Sequence, residues 1–350
     1  MGAGIESTQI VRRRRLTALV VVALLFVALT LFLAYAIRRD RQQETFLREQ
    51  NGMNDVRYRL RQPYWLFDRL PRALRGVRLR PEVNVMVCDE ANLDRLVSLG
   101  LARHVVAVYW QKETVSPGAM ARLSHFPALR TIDLYQAGIN DAALLQLGTL
   151  PKLAYLDLAE TAATDVGLAV LSRLPNLTAL SLSYTGVTDA GLVLIGRWSH
   201  LRSLSLVGTA VSDRGLASLA SQRHLYMLDL ARTKVTSAGL VHLRGMGDLQ
   251  CLGLGETGVS DVGLPQLAGL QHLYQLDLVG ASITVAGLAP LVACKRLEYL
   301  GTNDATARSV DHLIVWPSHC RVYVMPEAWP GPWPGRRATE RGVSPERGKK

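Results

Sequence analysis

The chain has 350 residues, 49% of them apolar and 20% charged, a composition that can bury large cores and excludes a disordered polymer. Its formal net charge of +11 suggests nucleic acid until it is divided along the chain. Residues 1–128 carry 20 Lys and Arg against 11 Asp and Glu, residues 129–296 carry 12 against 12, and residues 297–350 carry 8 against 6. A surface that reads nucleic acid must neutralise phosphates, so the balanced central stretch argues against such a partner.

Residues 1–15 form a basic tail ending in Arg12 to Arg15. Residues 16–37, Leu16 to Ile37, are 22 residues without a charge, and a helix of that length spans about 30 Å of hydrocarbon. Arg38, Arg39 and Arg41 follow at once, which fixes both ends at headgroup level and predicts a single-pass transmembrane helix. A cleaved signal peptide is the rival reading, because Ala34-Tyr35-Ala36 fits a cleavage site. The apolar run exceeds the roughly 7 to 15 residues usual for such signals, so a retained anchor is expected. Four arginines precede the span and four (Arg38, Arg39, Arg41, Arg48) follow it closely, so the positive-inside rule nearly ties. A short tail ending in four arginines resists export and a large following domain does not, which places the rest of the chain on the non-cytoplasmic side of the membrane.

The linker at 38–80 is basic. Arg57 to Arg80 holds eight arginines and one acid, Asp68, interleaved with Tyr58, Tyr64, Trp65 and Phe67. That mixture suits an anionic lipid surface, and equally an N-terminal cap that covers the first packed unit. Residues 81–128 read as a cap with the first degenerate repeats, and Ser116-Pro117 marks a helix start.

From Leu129 to Arg296 the sequence repeats every 24 residues, seven times without interruption. Apolar residues at positions 1, 4 and 6 of each block, as in Leu177, Leu180 and Leu182, predict a short strand with one buried face. Position 12 is Thr, Ser or Asn, usually followed by Asp, as in Thr188-Asp189. A hydroxyl at the N-cap and an acid in the first turn start a helix there. Positions 16 and 19, such as Leu192 and Ile195, share one helical face and point inward. Ordering 24 backbone residues costs about 1 to 2 kcal/mol each, whereas six or seven buried aliphatics return about 1.5 to 3 kcal/mol apiece. A single coil therefore cannot stand alone, and stacking into a parallel sheet with helices outside is compulsory. Threonines at position 9 (Thr161, Thr185, Thr209, Thr233, Thr257) predict an inward column bonded to loop backbone. Gly at position 15 is helix-destabilising by up to about 1 kcal/mol and predicts close approach of neighbouring coils. Residues 297–325 read as a fading repeat and cap, and the Pro-, Gly- and Arg-rich residues 326–350 as disordered.

The pattern L-x-x-L-x-L-x-x-T-x-V-T-D-x-G-L followed by a short helix resembles the leucine-rich repeat, in the helix-containing branch with ribonuclease-inhibitor-like or cysteine-containing-like repeats. Thr stands where Asn or Cys is usual at position 9. The anchor, Arg38 to Gln42 and Pro63-Tyr64-Trp65-Leu66 look like the front end of bacterial membrane-anchored members. The resemblance implies an α/β right-handed solenoid, a horseshoe with a concave parallel sheet and convex short helices, that binds proteins. Val285 in place of Asp, and Gly301-Thr302 in the last strand pattern, depart from it and suggest that the array is ending.

Strand positions 2, 3, 5, 7 and 8 are expected to face solvent on the concave wall, where the fold does not dictate side chains. The candidate ligand-binding residues there are Tyr135, Tyr155, Asp157, Glu160, Tyr184, Tyr226, Asp229, Arg232, Glu256, Tyr274 and Asp277, with Asp133 and Tyr299 on the same wall. Aromatic side chains beside charges resemble interface hot spots, although tyrosine also simply suits strands. The expected partner is a protein or peptide, and the competing class is a structural envelope element without a ligand. His200, His224, Asp248 and His272 share position 24 and have zinc-ligand chemistry, but coils about 5 Å apart need not converge them on one ion. Cys88, Cys251, Cys294 and Cys320 lack C-x-x-C spacing, and Cys294 and Cys320 are close enough in the frame to pair in an oxidising compartment. Asn176-Leu177-Thr178 fits a glycosylation sequon. No nucleophile elbow, phosphate loop or zinc-protease motif occurs, so neither enzymatic activity nor a cofactor is expected.

Overall fold

A computed structural model describes residues 83–86, 90–110, 114–147, 150–303 and 320–324. The readings made above for residues 1–15, 16–37, 38–80 and 326–350 lie outside the described residues. Among the described residues no helix is long and apolar enough to cross a membrane.

The 24-residue period becomes one parallel sheet whose 11 described strands, β1 to β11, pair strictly in sequence order. The regular strands are three residues long and occupy positions 3 to 5: β3 Thr131–Asp133, β4 Tyr155–Asp157, β5 Ala179–Ser181, β6 Ser203–Ser205, β7 Met227–Asp229, β8 Cys251–Gly253 and β9 Gln275–Asp277. Each pairs with the next at a register of one block, so that Ile132, Leu156, Leu180 and Leu204 lie side by side. The frame extends both ways, with β1 Val83–Met86 and β2 Val105–Tyr109 before it and β10 Tyr299–Thr302 and β11 Arg321–Val324 after it. Gly301 and Thr302 therefore do not end the sheet: backbone pairing continues through them to β11 because the ladder uses N–H and C=O groups common to any residue.

Helices return along the opposite face. Asn140, Thr164, Thr188 and Ser212 cap them through their side chains, as position 12 predicts. In the last three regular coils the return is a 3₁₀ turn, Gly239–Leu243, Asp261–Leu267 and Ala286–Ala293. Pro265 and Pro290 lie inside the second and third and cannot donate the α-helical bond. Every aliphatic of the coil at Leu201, Leu204, Leu206, Val211, Leu216 and Leu219 is fully buried, and the same positions continue through one core from Leu93 to Leu300. The molecule is a solenoid in which each coil's interior is closed by its neighbours.

One periodic column closes each coil and a second holds the coils together. Thr161, Thr185, Thr209, Thr233 and Thr257 each donate from Oγ1 to the carbonyl three residues earlier at 2.6–2.7 Å, which borne-out column seals the turn after the strand. The aspartate at position 13 does more than complement a helix start. It reaches to the next coil, where Asp165 accepts from the Thr188 N–H at 2.9 Å and from its hydroxyl at 2.6 Å. Asp141, Asp189, Asp213 and Asp261 repeat the same bidentate grip on Thr164, Ser212, Thr236 and Thr284. This grip explains Gly at position 15: a Cβ on Gly191, Gly215, Gly239 or Gly287 would collide with the gripping carboxylate of the coil before. Where Ser237 replaces Asp, Ser237 Oγ receives the Ser260 N–H at 2.9 Å and the two hydroxyls meet at 3.1 Å, a weaker version of the contact.

Cys251, Cys294 and Cys320 are free thiols, so Cys294 and Cys320 are not paired in this structure. Cys294 is buried and donates to the Leu267 carbonyl at 3.4 Å.

Candidate ligand-binding face

The predicted wall residues fall into two rows with different environments. The first runs along the strands. Tyr155 at position 3 and Tyr226 and Tyr274 at position 2 are half-buried. Asp157 and Asp277 at position 5, like Asp133, are buried at 2–6% exposure rather than open to solvent as expected. The reason is local: the carboxylate folds back on its own strand exit and accepts a backbone N–H two residues on. Asp133 takes that of Tyr135, Asp157 that of Ala159, Asp229 that of Ala231 and Asp277 that of Val279, all at 2.9–3.1 Å. These aspartates shape the turn, as short acceptor side chains do.

Asp229 is the most perturbed of them. The residue as a whole is half-buried, but its carboxyl lies over Gly253, where any Cβ would overlap it. Burial, helped by the negative charge of Asp277 and opposed by the Ala231 N–H, pushes its pKa up from the ordinary carboxylate value to about 6. Tyr274 packs edge-on against Tyr299 with ring centroids 5.0 Å apart, and the hydrogen bond between the two phenols is the main reason that the Tyr274 phenol is pushed up.

The second row stands at position 8, one residue beyond the strand exit. Gln136, Glu160, Tyr184, Arg232 and Glu256 all have φ between 54° and 57°, and Gly208 and Gly280 complete the row at 67° and 78°. Every coil thus turns through the left-handed region at the same place, fixed because the position-8 N–H bonds the next coil's position-7 carbonyl, as Tyr184 to Val207 at 2.7 Å and Arg232 to Gly255 at 2.8 Å. Side chains with a Cβ are disfavoured there by about 1–2 kcal/mol, yet five of the seven coils carry large ones.

These side chains form an exposed ribbon. Tyr135 Oη donates to Glu160 at 2.8 Å, and Gln136 Nε2 donates to the same carboxylate at 2.5 Å. Arg232 donates from Nε and Nη2 to Glu256 at 2.9 and 2.7 Å, and from Nη1 to Tyr184 Oη at 2.9 Å. The last bond spans two coils and passes beside Gly208, over which the Tyr184 ring lies so closely that a Cβ could not fit. The Glu256 stem covers Gly280 in the same way, and Gly280 N–H bonds Asn303 Oδ1 at 2.7 Å. Of the sequence candidates, Tyr135, Glu160, Tyr184, Arg232 and Glu256 are brought together here. The left-handed backbone was missed, although glycine at position 8 in two blocks was the signal that could have revealed it.

The position-24 column does not gather around one point. His224 Nδ1 meets Asp248 Oδ2 at 3.1 Å, whereas His272 Nδ1 lies 2.9 Å from the Gly247 carbonyl. Among the described residues no group of three or more His, Cys, Asp or Glu has metal-binding spacing. Asn176, in the glycosylation sequon, donates to the Pro151 carbonyl of the coil before.

Strand, turn, capped helix and core leucines at this period define a leucine-rich repeat fold. A leucine-rich repeat family model matches residues 173–196 and 199–220. No curated protein sequence matches the chain. Two crystal structures from Listeria monocytogenes are similar to it. Internalin C2 is 23% identical over 61% of this chain and 84% of its own, with a TM-score of 0.48. The internalin inlF is 16% identical over 62% and 85%, with a TM-score of 0.35. Leucine-rich repeat folds generally mediate protein–protein interaction, and no enzymatic family is indicated.

Proposed function

We propose that the chain is a membrane-anchored scaffold that binds a protein or peptide along its sheet face, with the position-8 ribbon and the half-buried tyrosines as the contact surface. The observation that carries this reading is the ribbon's backbone. Five non-glycine residues are held in a conformation that glycine would adopt more cheaply, and all five present exposed or half-exposed polar side chains in one line. The stacking requires the left-handed backbone but not a side chain on it, and strain kept for the sake of a side chain is a marker of a site. Tyr and Arg, which dominate interface hot spots, meet at its centre in Tyr184 and Arg232. The membrane part of the reading is supported by the charge-free run at 16–37 with arginines at both ends.

A photo-crosslinking residue placed at 184 or 232, with one at the exposed helix-face Val193 as control, tests this reading. Crosslinking to a discrete partner from the ribbon and not from 193, abolished by Tyr226→Ala with Tyr274→Ala, is the expected result. Equal labelling from both faces, or none, would favour an envelope element without a ligand. Proteolysis of sealed vesicles tests the expectation that the repeats lie on the non-cytoplasmic side.

A further inference from the structure

The formal neutrality of residues 129–296 hides a separation of charge across the solenoid. The edge where helices end and strands begin comprises positions 20 to 24 and position 2. It carries nine of the 12 Lys and Arg of this stretch but only one of its 12 Asp and Glu, Asp248. The other 11 acids stand at positions 5, 8 and 13, at the opposite edge, where strands end and helices begin. Nine of those 11 are the position-5 and position-13 aspartates that hold turns or grip the following coil.

The cations of the first edge are all exposed, Arg173, Arg197, Arg202, Arg223 and Arg244 among them. Among the described residues the ion pairs are Arg122–Asp94, His224–Asp248 and Arg232–Glu256, so these five arginines are not held by a carboxylate there. Complementing helix ends accounts for Arg244, the C-cap of Gly239–Leu243, but not for Arg173, Arg197 and Arg223, because the dipole acts only within the last turn and the helices ending at Leu171, Ile195 and Ser218 have no basic residue in theirs. Position 2 lies three residues, about 10 Å, from the position-5 aspartates, which are turned onto the backbone N–H groups of their own strand exits, and farther from the acids at position 8. With a screening length of about 8 Å at physiological salt, the acids only partly offset the cations. Gly196, Gly245 and Gly247 occupy the same loops as Arg197 and Arg244, and beside Gly247 the space is open.

From this arrangement we infer that the loops at positions 20 to 24 lie on an anionic bilayer, with the position-2 arginines at the rim of that contact and the sheet face, with Tyr226, Tyr274 and the position-8 ribbon, turned away from the lipid. Cations spread one or two per coil in six of the seven coils, with none at 249–272, match a dispersed sheet of lipid phosphates and carboxylates. Trp198 beside Arg197 and the exposed His200, His224 and His272 stand on the same edge, where rings among cations suit the headgroup region; a nucleic-acid strand, which such rings would also stack, is separated by the DNA arm of the test. The inference rests on the tethered reading for the local concentration of bilayer and on the charge pattern for its chemistry.

The test uses the full chain in nanodiscs of phosphatidylcholine alone or mixed with phosphatidylserine, with hydrogen exchange read at the loops around 173, 197, 223 and 244 and at the opposite edge. Several-fold slower exchange at the first edge, only with phosphatidylserine, is expected. It should disappear near 1 M salt, where the screening length falls to about 3 Å. It should also disappear in the variant carrying Arg173→Glu, Arg197→Glu, Arg223→Glu and Arg244→Glu, whose exchange elsewhere reports intact folding. Equal slowing in neutral discs, slowing that survives the four reversals, or stronger slowing by a DNA oligonucleotide than by anionic discs would overturn the inference. Retention of the chain in neutral discs at high salt reports the anchor by itself, so a failed anchor and a failed edge give different results.

Discussion

Position 13 and position 8 both follow the strand by a few residues, recur in every coil and sit at the same edge of the solenoid, yet they are used in opposite ways. At position 13 five of the seven regular blocks have aspartate, its carboxylate is taken up by two bonds to the next coil, and glycine at position 15 of that next coil clears room for it. At position 8 the backbone is identical from coil to coil while the side chains are Gln, Glu, Tyr, Gly, Arg, Glu and Gly. Identity of side chain marks what stacking requires. Identity of backbone with variety of side chain marks what stacking leaves free for recognition.

The comparison breaks most severely if position 13 is not the coil-to-coil grip. Gly215→Val would drive a side chain into the Asp189 carboxylate and Leu192. Overpacking of about 1–3 kcal/mol, added to disturbance of that grip, predicts a fall in melting temperature of about 5–12 °C, at roughly 2–4 °C per kcal/mol for an array of this size. Asp189→Ala should cost somewhat less, about 2–3 kcal/mol, since the Ser212 N–H and hydroxyl lose charged acceptors but no clash is created. Chemical denaturation should show it, and the equivalent change at Ser237, where the grip is already weak, should cost about half as much.

Smaller again is the effect of Asp229. Its folded-state pKa is raised to about 6, so the folded chain binds this proton more tightly than the unfolded chain does. The group's contribution to stability is therefore complete below the unfolded value near 3.8 and declines as pH rises through 6. Asp229→Asn keeps an oxygen for the Ala231 N–H and removes the buried charge. It is expected to flatten the stability profile between pH 4 and 7 and to raise stability at pH 7 by about 1–2 kcal/mol, which melting at the two pH values checks.

Much of this architecture was legible in the residues. The period, a short strand read from the alternation at positions 4 to 6 and found at 3 to 5, the Ser, Thr and Asn caps and the threonine column follow from chemistry within one block. What was not legible depends on the distance between blocks. Asp165 reads as a helix-start acid until Thr188 is known to stand beside it, Gly191 has no reason until that carboxylate is placed, and Asp157 reads as a wall acid until it folds back onto Ala159. Tyr184 and Arg232 lie 48 residues apart and meet only because Gly208 between them has no side chain.

The most direct measurement is the melting temperature of a variant in which Gln136, Glu160, Arg232 and Glu256 are all replaced by glycine, set beside crosslinking from residue 184. Relief of left-handed strain at four positions, about 1 kcal/mol each, offsets the lost surface bonds and the extra freedom that glycine gives the unfolded chain. The ribbon account predicts a melting temperature equal to or above that of the parent, with the crosslink at 184 lost. A fall of more than about 4 °C, which corresponds to at least 1 kcal/mol, with the crosslink retained would show that the ribbon holds the coils together rather than facing a partner.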